Sequence, residues 1–316
     1  MKYSVTFNIA TLNDEKRIKK CLQHIKKQNY NHKKIKINVI DGGSKDKTIN
    51  IAKSYGCRII YNKYILAEPA LYLGYKSTKT DYAVYMATDN IIFDKNWLKK
   101  ILKPFENNNK VKISFSKVSL SNSDNIWSNY LNEDTDPFSR FVYGNSSHPE
   151  KFKRYYKLLF QNRDFEIYDF KNNQNYPLIA LAQCTVVKSN LIRKNLYDDI
   201  QDIINYINSG YLIAYVKNTS IYHYSISGFL DFYNKFDRRI KISLNFNNYK
   251  NRDKFTTKTR ILKKYIFLFY SISIIFPFLD SVVNFMRQKK KYSFIHPFAC
   301  LIITFLIIKN IILKNK

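Results

Sequence analysis

The chain has 316 residues, four cysteines and a formal charge of +29 at neutral pH. It is long enough for one large domain or two and can bury a full core, so it needs no disulfide staples. Cys21, Cys57, Cys184 and Cys300 are scattered with no Cys-x-x-Cys pair, which argues against a zinc knuckle and for a reducing compartment. The charge suits an anionic partner: nucleic acid, anionic lipid or a phosphate-bearing substrate. Lysine is spread along the whole chain, and no helix-turn-helix, zinc-finger or RNP pattern is present, so nucleic acid is set aside.

Met1 to Ser4 run straight into a strand, and no signal peptide is expected. Tyr3 to Ile9 alternates in a β-rich run and closes in Ile9-Ala10-Thr11-Leu12-Asn13-Asp14-Glu15. A helix follows, with Ile18, Cys21, Leu22 and Ile25 on one face. Ile35 to Ile40 is a second strand, with Asp41 at its carboxyl end and two glycines that let the backbone turn. Ser44 or Asp46 caps a helix that starts near Thr48. Strand, acid, glycine turn and helix is how an open α/β sheet presents a carboxylate and N–H groups to a nucleotide. The same order also describes an ordinary strand-to-helix turn. No core atom belongs to the Asp41 side chain, so its removal is expected to leave folding nearly untouched.

Arg58 to Ile60 is a third strand, and Leu71 to Lys76 is helical. Tyr82 to Met86 is a fourth strand, closing in Ala87-Thr88-Asp89-Asn90, and Trp97 to Phe105 is a further helix. The alternation implies an α/β domain with a mainly parallel, Rossmann-like sheet covered on both faces. Lys112 to Asn175 reads as irregular, aromatic and polar. Order returns at Leu178 to Lys188, and Asp198, Asp199 and Asp202 open a helix that stops at Gly210. Tyr211 to Lys217 and Ser220 to Tyr224 read as two strands, and Phe229 to Leu244 as a basic amphipathic helix.

The tail differs. Tyr265 to Leu279 and Phe298 to Ile308 are almost wholly apolar. Each falls short of the roughly 20 apolar residues of a span. Pro277 and Asp280 break the first, and His296-Pro297 and Lys309 the second. Two single crossings would place the basic cluster Arg287 to Lys291 away from the cytoplasm, against the usual bias. A re-entrant or interfacial hydrophobic helical hairpin at an anionic surface is expected, the alternative being a buried hairpin on a soluble domain. The expected divisions are 1–228, an α/β domain; 229–262, the basic helix and a linker; and 263–316, a membrane-associated tail.

Four blocks, taken in order and spacing, resemble the family-two glycosyltransferases of GT-A fold over roughly Lys2 to Arg239. They are Ile9 to Glu15, Val39 to Thr48, Tyr85 to Ile92, and the Asp198-Asp199 helix followed by Gly210-Tyr211 and Ile221-Tyr222-His223-Tyr224. The resemblance implies transfer of a sugar, with inversion, from a nucleotide-sugar donor to an envelope glycan or lipid-linked acceptor. It places the enzyme on the cytoplasmic face of the cell membrane, with membrane lipid as a further partner. It implies donor-binding roles for Ala10, Thr11, Asn13, Asp41, Gly43, Ser44 and Asp89, with Asp41 on the base. A divalent metal, Mg²⁺ or Mn²⁺, is implied as cofactor on Asp89 and His223. The general base falls on Asp199, with Asp198 and Asp202 as alternatives; the same acids also suit a helix N-terminus. The irregular middle of the chain would build the acceptor side. Two departures stand out: Ala87 replaces the first acid of the usual Asp-x-Asp motif, and Leu71-Tyr72 replaces an Arg-Asn pair. They keep open a nucleotide-sugar-binding domain with lost or metal-independent activity. A dinucleotide enzyme is disfavoured, since no GxGxxG follows the first strand.

Overall fold

Val5–Thr11 (β1) is buried along its whole length because it has a parallel neighbour on each side, Ile35–Asp41 (β2) and Tyr82–Ala87 (β4). Such a strand needs apolar side chains on both faces, which is why Val5, Phe7 and Ile9 repeat there. The computed structural model describes residues 2–120, 125–144, 149–154, 156–171, 184–191, 205–245 and 258–314. They fall into two units, 1–119 with 148–223 and 120–147 with 224–316.

The first unit holds a ten-stranded sheet. Its other strands are Arg58–Tyr61 (β3), Asn90–Ile91 (β5), Val111–Ser119 (β6), Lys157–Gln161 (β7), Phe165–Asp169 (β8), Thr185–Lys188 (β9) and Leu212–His223 (β10). The order is β3-β2-β1-β4-β9-β6-β10-β8-β7, with β5 on β10. β9 is antiparallel to β4 and β6, while β6 and β10 are parallel. β1, β2, β3, β4, β6 and β10 therefore all end on one edge, which brings Thr11, Asp41, Ala87 and His223 to the same side.

Helices Glu15–Lys26 (α1), Thr48–Ser54 (α2), Ala67–Lys76 (α3) and Trp97–Asn107 (α4) follow the early strands. α1 buries Ile18, Cys21, Leu22 and Ile25, as the spacing predicts. α3 lies so close to β1 that a Cβ on Gly74 would sit 2.8 Å from Cβ of Asn8. Asn8 is buried in a polar chain at that contact. Asn38 Nδ2 donates to Asn8 Oδ1 at 2.9 Å, Asn8 Nδ2 to Thr78 Oγ1 at 3.0 Å, and Thr78 Oγ1 to the Gly74 carbonyl at 3.0 Å.

The described residues of the stretch expected to be irregular are largely regular. Besides β6, β7 and β8 it forms Ile126–Asp134 (α5) and Pro137–Tyr143 (α6). Asn125 and Asp136 cap these helices by accepting from Ser128 N and Ser139 N, both at 2.9 Å, and Pro137 opens the second. Its aromatic residues Phe115, Phe152, Tyr168 and Phe170 belong to a core cluster of the first unit. The two strands expected at Tyr211 to Lys217 and Ser220 to Tyr224 are one, β10. Its register against β6 shifts between Val216 and Ser220, which absorbs the intervening polar residues without ending the strand.

The second unit holds α5, α6, Phe229–Asn245 (α7), Lys258–Ser273 (α8), Ile275–Gln288 (α9) and His296–Lys314 (α10). Tyr130, Phe232, Phe236, Phe267, Ile303 and Leu306 share its core. The tail is thus a bent pair plus one long helix, which matches the expected hairpin in part. The first run breaks at Ile274, which has φ of +57°, and α8 and α9 meet there at 86°. Pro277 sits in the first turn of α9, where a missing N–H leaves no hydrogen bond unmade. His296-Pro297 likewise begins α10. Lys309 does not end it, because its Nζ lies 3.2 Å from both the Tyr233 hydroxyl and Asp237 Oδ1 of α7. Lys291–Lys314 is long and apolar enough to cross a membrane, with mean hydropathy 2.0 and half of its apolar window buried.

Asp237 also accepts from Asn310 Nδ2 at 2.9 Å and pairs with Lys241 at 2.9 Å. Burial pushes its carboxyl up, but the bonds from Asn310, Lys241 and Lys309 outweigh that and hold it down at about 2. A depressed acid stabilises the fold above its unfolded value of 3.8 and loses that contribution as the pH falls toward about 2. Asp237→Asn should therefore cost about 1 kcal/mol at neutral pH, a deficit that fades through this window in pH-resolved unfolding. Gly74→Ala should cost about 1–3 kcal/mol in denaturant unfolding, since β1 and α3 must separate to admit the methyl group.

Candidate functional site

At the shared strand edge, Thr11 lies opposite Asp41, and Asp41 opposite Tyr61 on its other side. Gly42 N donates to the Thr11 carbonyl at 3.0 Å, so the chain leaves β2 across the end of β1. The Asp41 side chain turns into its own loop. Its Oδ2 accepts from the amides of Gly43 and Ser44, both at 3.0 Å, and its Oδ1 from Ser44 Oγ at 2.5 Å. Gly43 has φ of +99°, a region that favours glycine. Asp41 is only 6% exposed and thus holds the loop as well as facing the site. The expectation that its removal would leave folding nearly untouched does not hold, since three donors would lose their acceptor.

Ser44 Oγ in turn accepts from Asn13 N at 2.8 Å, and Asn13 Oδ1 accepts from Lys45 N at 2.8 Å. Asp46 accepts from Glu15 N at 3.1 Å and Thr48 N at 2.9 Å, so one carboxylate serves the starts of α1 and α2. The Thr48 hydroxyl, joined by these amides, holds the Asp46 carboxyl below its usual range. The loops after β1 and β2 are stitched into one rim. Leu12, Tyr61 and Ile65 are exposed around it. A Cβ on Gly42 would lie 3.5 Å from Leu12 Cδ1 and 3.3 Å from the Ile65 carbonyl, so the rim is apolar and close. The buried Thr11 hydroxyl has no hydrogen-bond partner among the described residues. Ala10, by contrast, packs with Ile40 and Ala70 in an apolar cluster, so its side chain faces the core.

A second group forms beyond β4. Asn90 on β5 pairs with His223 at the end of β10, which sets Asp89 beside the imidazole. Asp89 Oδ2 lies 3.4 Å from His223 Nε2, and Asp89 Oδ1 accepts from Asn90 Nδ2 at 2.6 Å. The two residues named for metal binding are thus brought together. Among the described residues no group of three or more His, Cys, Asp or Glu side chains gathers for a cation. An Mg²⁺ or Mn²⁺ ion that takes one or two protein donors and completes its shell from phosphates and water fits such a pair. Beside it, Thr88 Oγ1 donates to the Asp14 carboxylate, which also accepts from Arg17 Nε at 2.8 Å. Sequence reasoning missed this role of Asp14. Its signal was present, since Asp14 lies within the block Ile9 to Glu15. Asp198, Asp199 and Asp202 lie outside the described residues.

The sequence model of glycosyl transferase family 2 matches residues 6–176. No curated protein matches the chain in sequence. Among solved structures, the mannosyltransferase PcManGT from Pyrobaculum calidifontis, in complex with GDP-Man and Mn²⁺, superposes with a TM-score of 0.55 at 12% identity, over 98% of this chain and 88% of that one. Residues 1–349 of TarS from S. aureus, in complex with UDP-GlcNAc, give 0.51 at 14% identity, over 97% and 90%. A longer TarS structure gives 0.50 at 14% identity; 81% of this chain is covered, and the chain spans 42% of that one. These likenesses show a common fold.

Ser44→Ala removes both the acceptor of Asn13 N and the hydroxyl donor to Asp41. A loss of about 1–2 kcal/mol is expected from denaturant unfolding, with Ser44→Thr closer to the parent.

Proposed function

The chain belongs to glycosyl transferase family 2, and from that premise we propose that it moves a sugar, with inversion, from a nucleotide-sugar donor to an envelope glycan or lipid-linked acceptor on the cytoplasmic face of the cell membrane. The observation that carries this reading is the convergence of the unpartnered Thr11 hydroxyl, the Asp41 loop and the Asp89–His223 pair on one sheet edge. The complexes of PcManGT with GDP-Man and of TarS with UDP-GlcNAc support a nucleotide-sugar donor.

In this reading the base rests in the apolar rim of Leu12, Tyr61 and Ile65. Asp41 accepts from it, Thr11 and Asn13 line the pocket, and the amides near Gly43 and Ser44 shape it. Ala10 contributes through its backbone. Asp89 and His223 would hold a divalent cation, which when bound offsets the charge of the departing diphosphate. Asp199, or in its place Asp198 or Asp202, takes the proton from the acceptor hydroxyl as that oxygen attacks the anomeric carbon and the bond to diphosphate breaks. Ala87, in place of the first acid of the usual motif, supports a second reading, binding without turnover or turnover without metal. The exposed apolar helices α8 and α9 support attachment to lipid.

Release of nucleoside diphosphate from a panel of nucleotide-sugars, with Mg²⁺, Mn²⁺ or chelator, tests the proposal. Metal-stimulated release is expected, with the stimulation lost in Asp89→Asn. Asp199→Asn should slow turnover by about 10²–10⁴-fold while donor affinity by calorimetry persists. Donor binding without release under every condition supports the second reading, and no binding of any nucleotide-sugar overturns both.

A further inference from the structure

We propose that the corner between α8 and α9 is a wedge that enters one leaflet of an anionic membrane, and that α10 does not cross the bilayer. The inference rests on the membrane attachment proposed above and specifies its geometry and lipid chemistry.

The corner carries a dense run of exposed apolar side chains among the described residues of the second unit. Phe269, Ile272, Ile274, Ile275, Phe276, Phe278 and Leu279 each expose half or more of their surface. No charged residue occurs from Tyr265 to Leu279. A contiguous apolar surface of this kind marks an interaction face. The nearest acid, Asp280, accepts from the Tyr270 hydroxyl at 2.6 Å.

Cations flank both arms. Lys263 and Lys264 precede the corner on α8, and Arg287, Lys289, Lys290 and Lys291 follow it at the end of α9. At about 1.5 Å per residue, Lys264 lies about 15 Å and Arg287 about 20 Å from Ile274 along the helices. With an 86° bend and both arms equally slanted, the corner lies about 10–13 Å below the plane of these cations. That is less than half of a hydrocarbon core of about 30 Å. Basic residues at headgroup depth on both sides select anionic lipid as the occupant.

α10 has the length of a span but is held by charges. Lys309 and Asn310 bind Asp237 of α7, and Lys314 Nζ donates to the Leu244 carbonyl farther along the same helix. α7 also carries Arg238, Arg239 and Lys241. A crossing α10 would draw this charged helix into hydrocarbon, which is strongly disfavoured. Half of the α10 window is already covered within the protein, and that half has no lipid-facing surface to offer.

Flotation of the full chain with vesicles tests the wedge. Binding is expected to phosphatidylcholine vesicles containing phosphatidylglycerol, weaker without it and weaker in high salt. The double variant Phe269→Ser with Ile275→Ser should lower binding by on the order of tenfold or more, with nucleotide affinity and melting unchanged because both side chains are exposed. Phe276→Trp should be quenched by lipids brominated on the acyl chain. A cysteine appended after Lys316 should react with an impermeant maleimide on the side from which protein was added. Protection of that cysteine until the vesicles are lysed means that α10 crosses and overturns the proposal. Equal binding by parent and double variant overturns it too, as does a dimer that the double variant splits without change in flotation, since the face then belongs to a second copy. If vesicles fail to bind while nucleotide affinity is intact, the wedge fails and the sugar-transfer reading stands.

Discussion

The carboxylate of Asp41 is the interaction on which the site depends. A buried charge in a loop must be met by donors, and here it collects two amides and a hydroxyl within three residues of itself. That compact turn presents Ser44 to Asn13, and Asn13 to Lys45, so the loop after β2 shapes the loop after β1. Asp46 repeats the arrangement one turn on, serving the first turns of two helices at once. The strand edge is therefore held by its own side-chain-to-backbone bonds.

The second half of the site is held by strand pairing. Two residues of β5 are enough to set Asn90 across from His223, and Asp89 follows from that register. With Ala87 at the end of β4, Asp89 is the one carboxylate of this motif. The neighbouring hydroxyl of Thr88 is committed to Asp14, and through it to the first turn of α1. The edge thus consists of two differently built parts. One is a loop rim fixed by side chain-to-backbone bonds, and the other is a pair fixed by the sheet.

The helical unit solves a different problem. Its helices have more apolar faces than one core can cover, so α10 is held by a polar clamp through Asp237, Lys309 and Asn310. Asp237 also meets Lys241 of its own helix, so the acid is compensated on more than one side. Surplus apolar surface is left on α8 and α9 around their bend, and on α10 at Phe298, Phe305 and Ile312.

By itself the sequence determined the βα alternation of the first hundred residues, because strand and helix periodicities and glycine turns are local signals. The buried face of α1 came out as the spacing required. The resemblance carried Asp89 and His223 to one place, and the structure puts them 3.4 Å apart. Only the tertiary structure decided the rest. The aromatic residues between Lys112 and Asn175 read as loop because their pattern matches no single period, yet several of them fill one shared core. The single strand β10 depends on a register shift against β6, which lies in the pairing and not in the residues. Lys309 reads as the end of an apolar run until Asp237, 72 residues away, supplies its counter-charge. The bond from Thr88 to Asp14 likewise joins residues 74 positions apart. In each case the deciding partner is distant in the chain, and a contact between distant residues leaves no local pattern from which to read it.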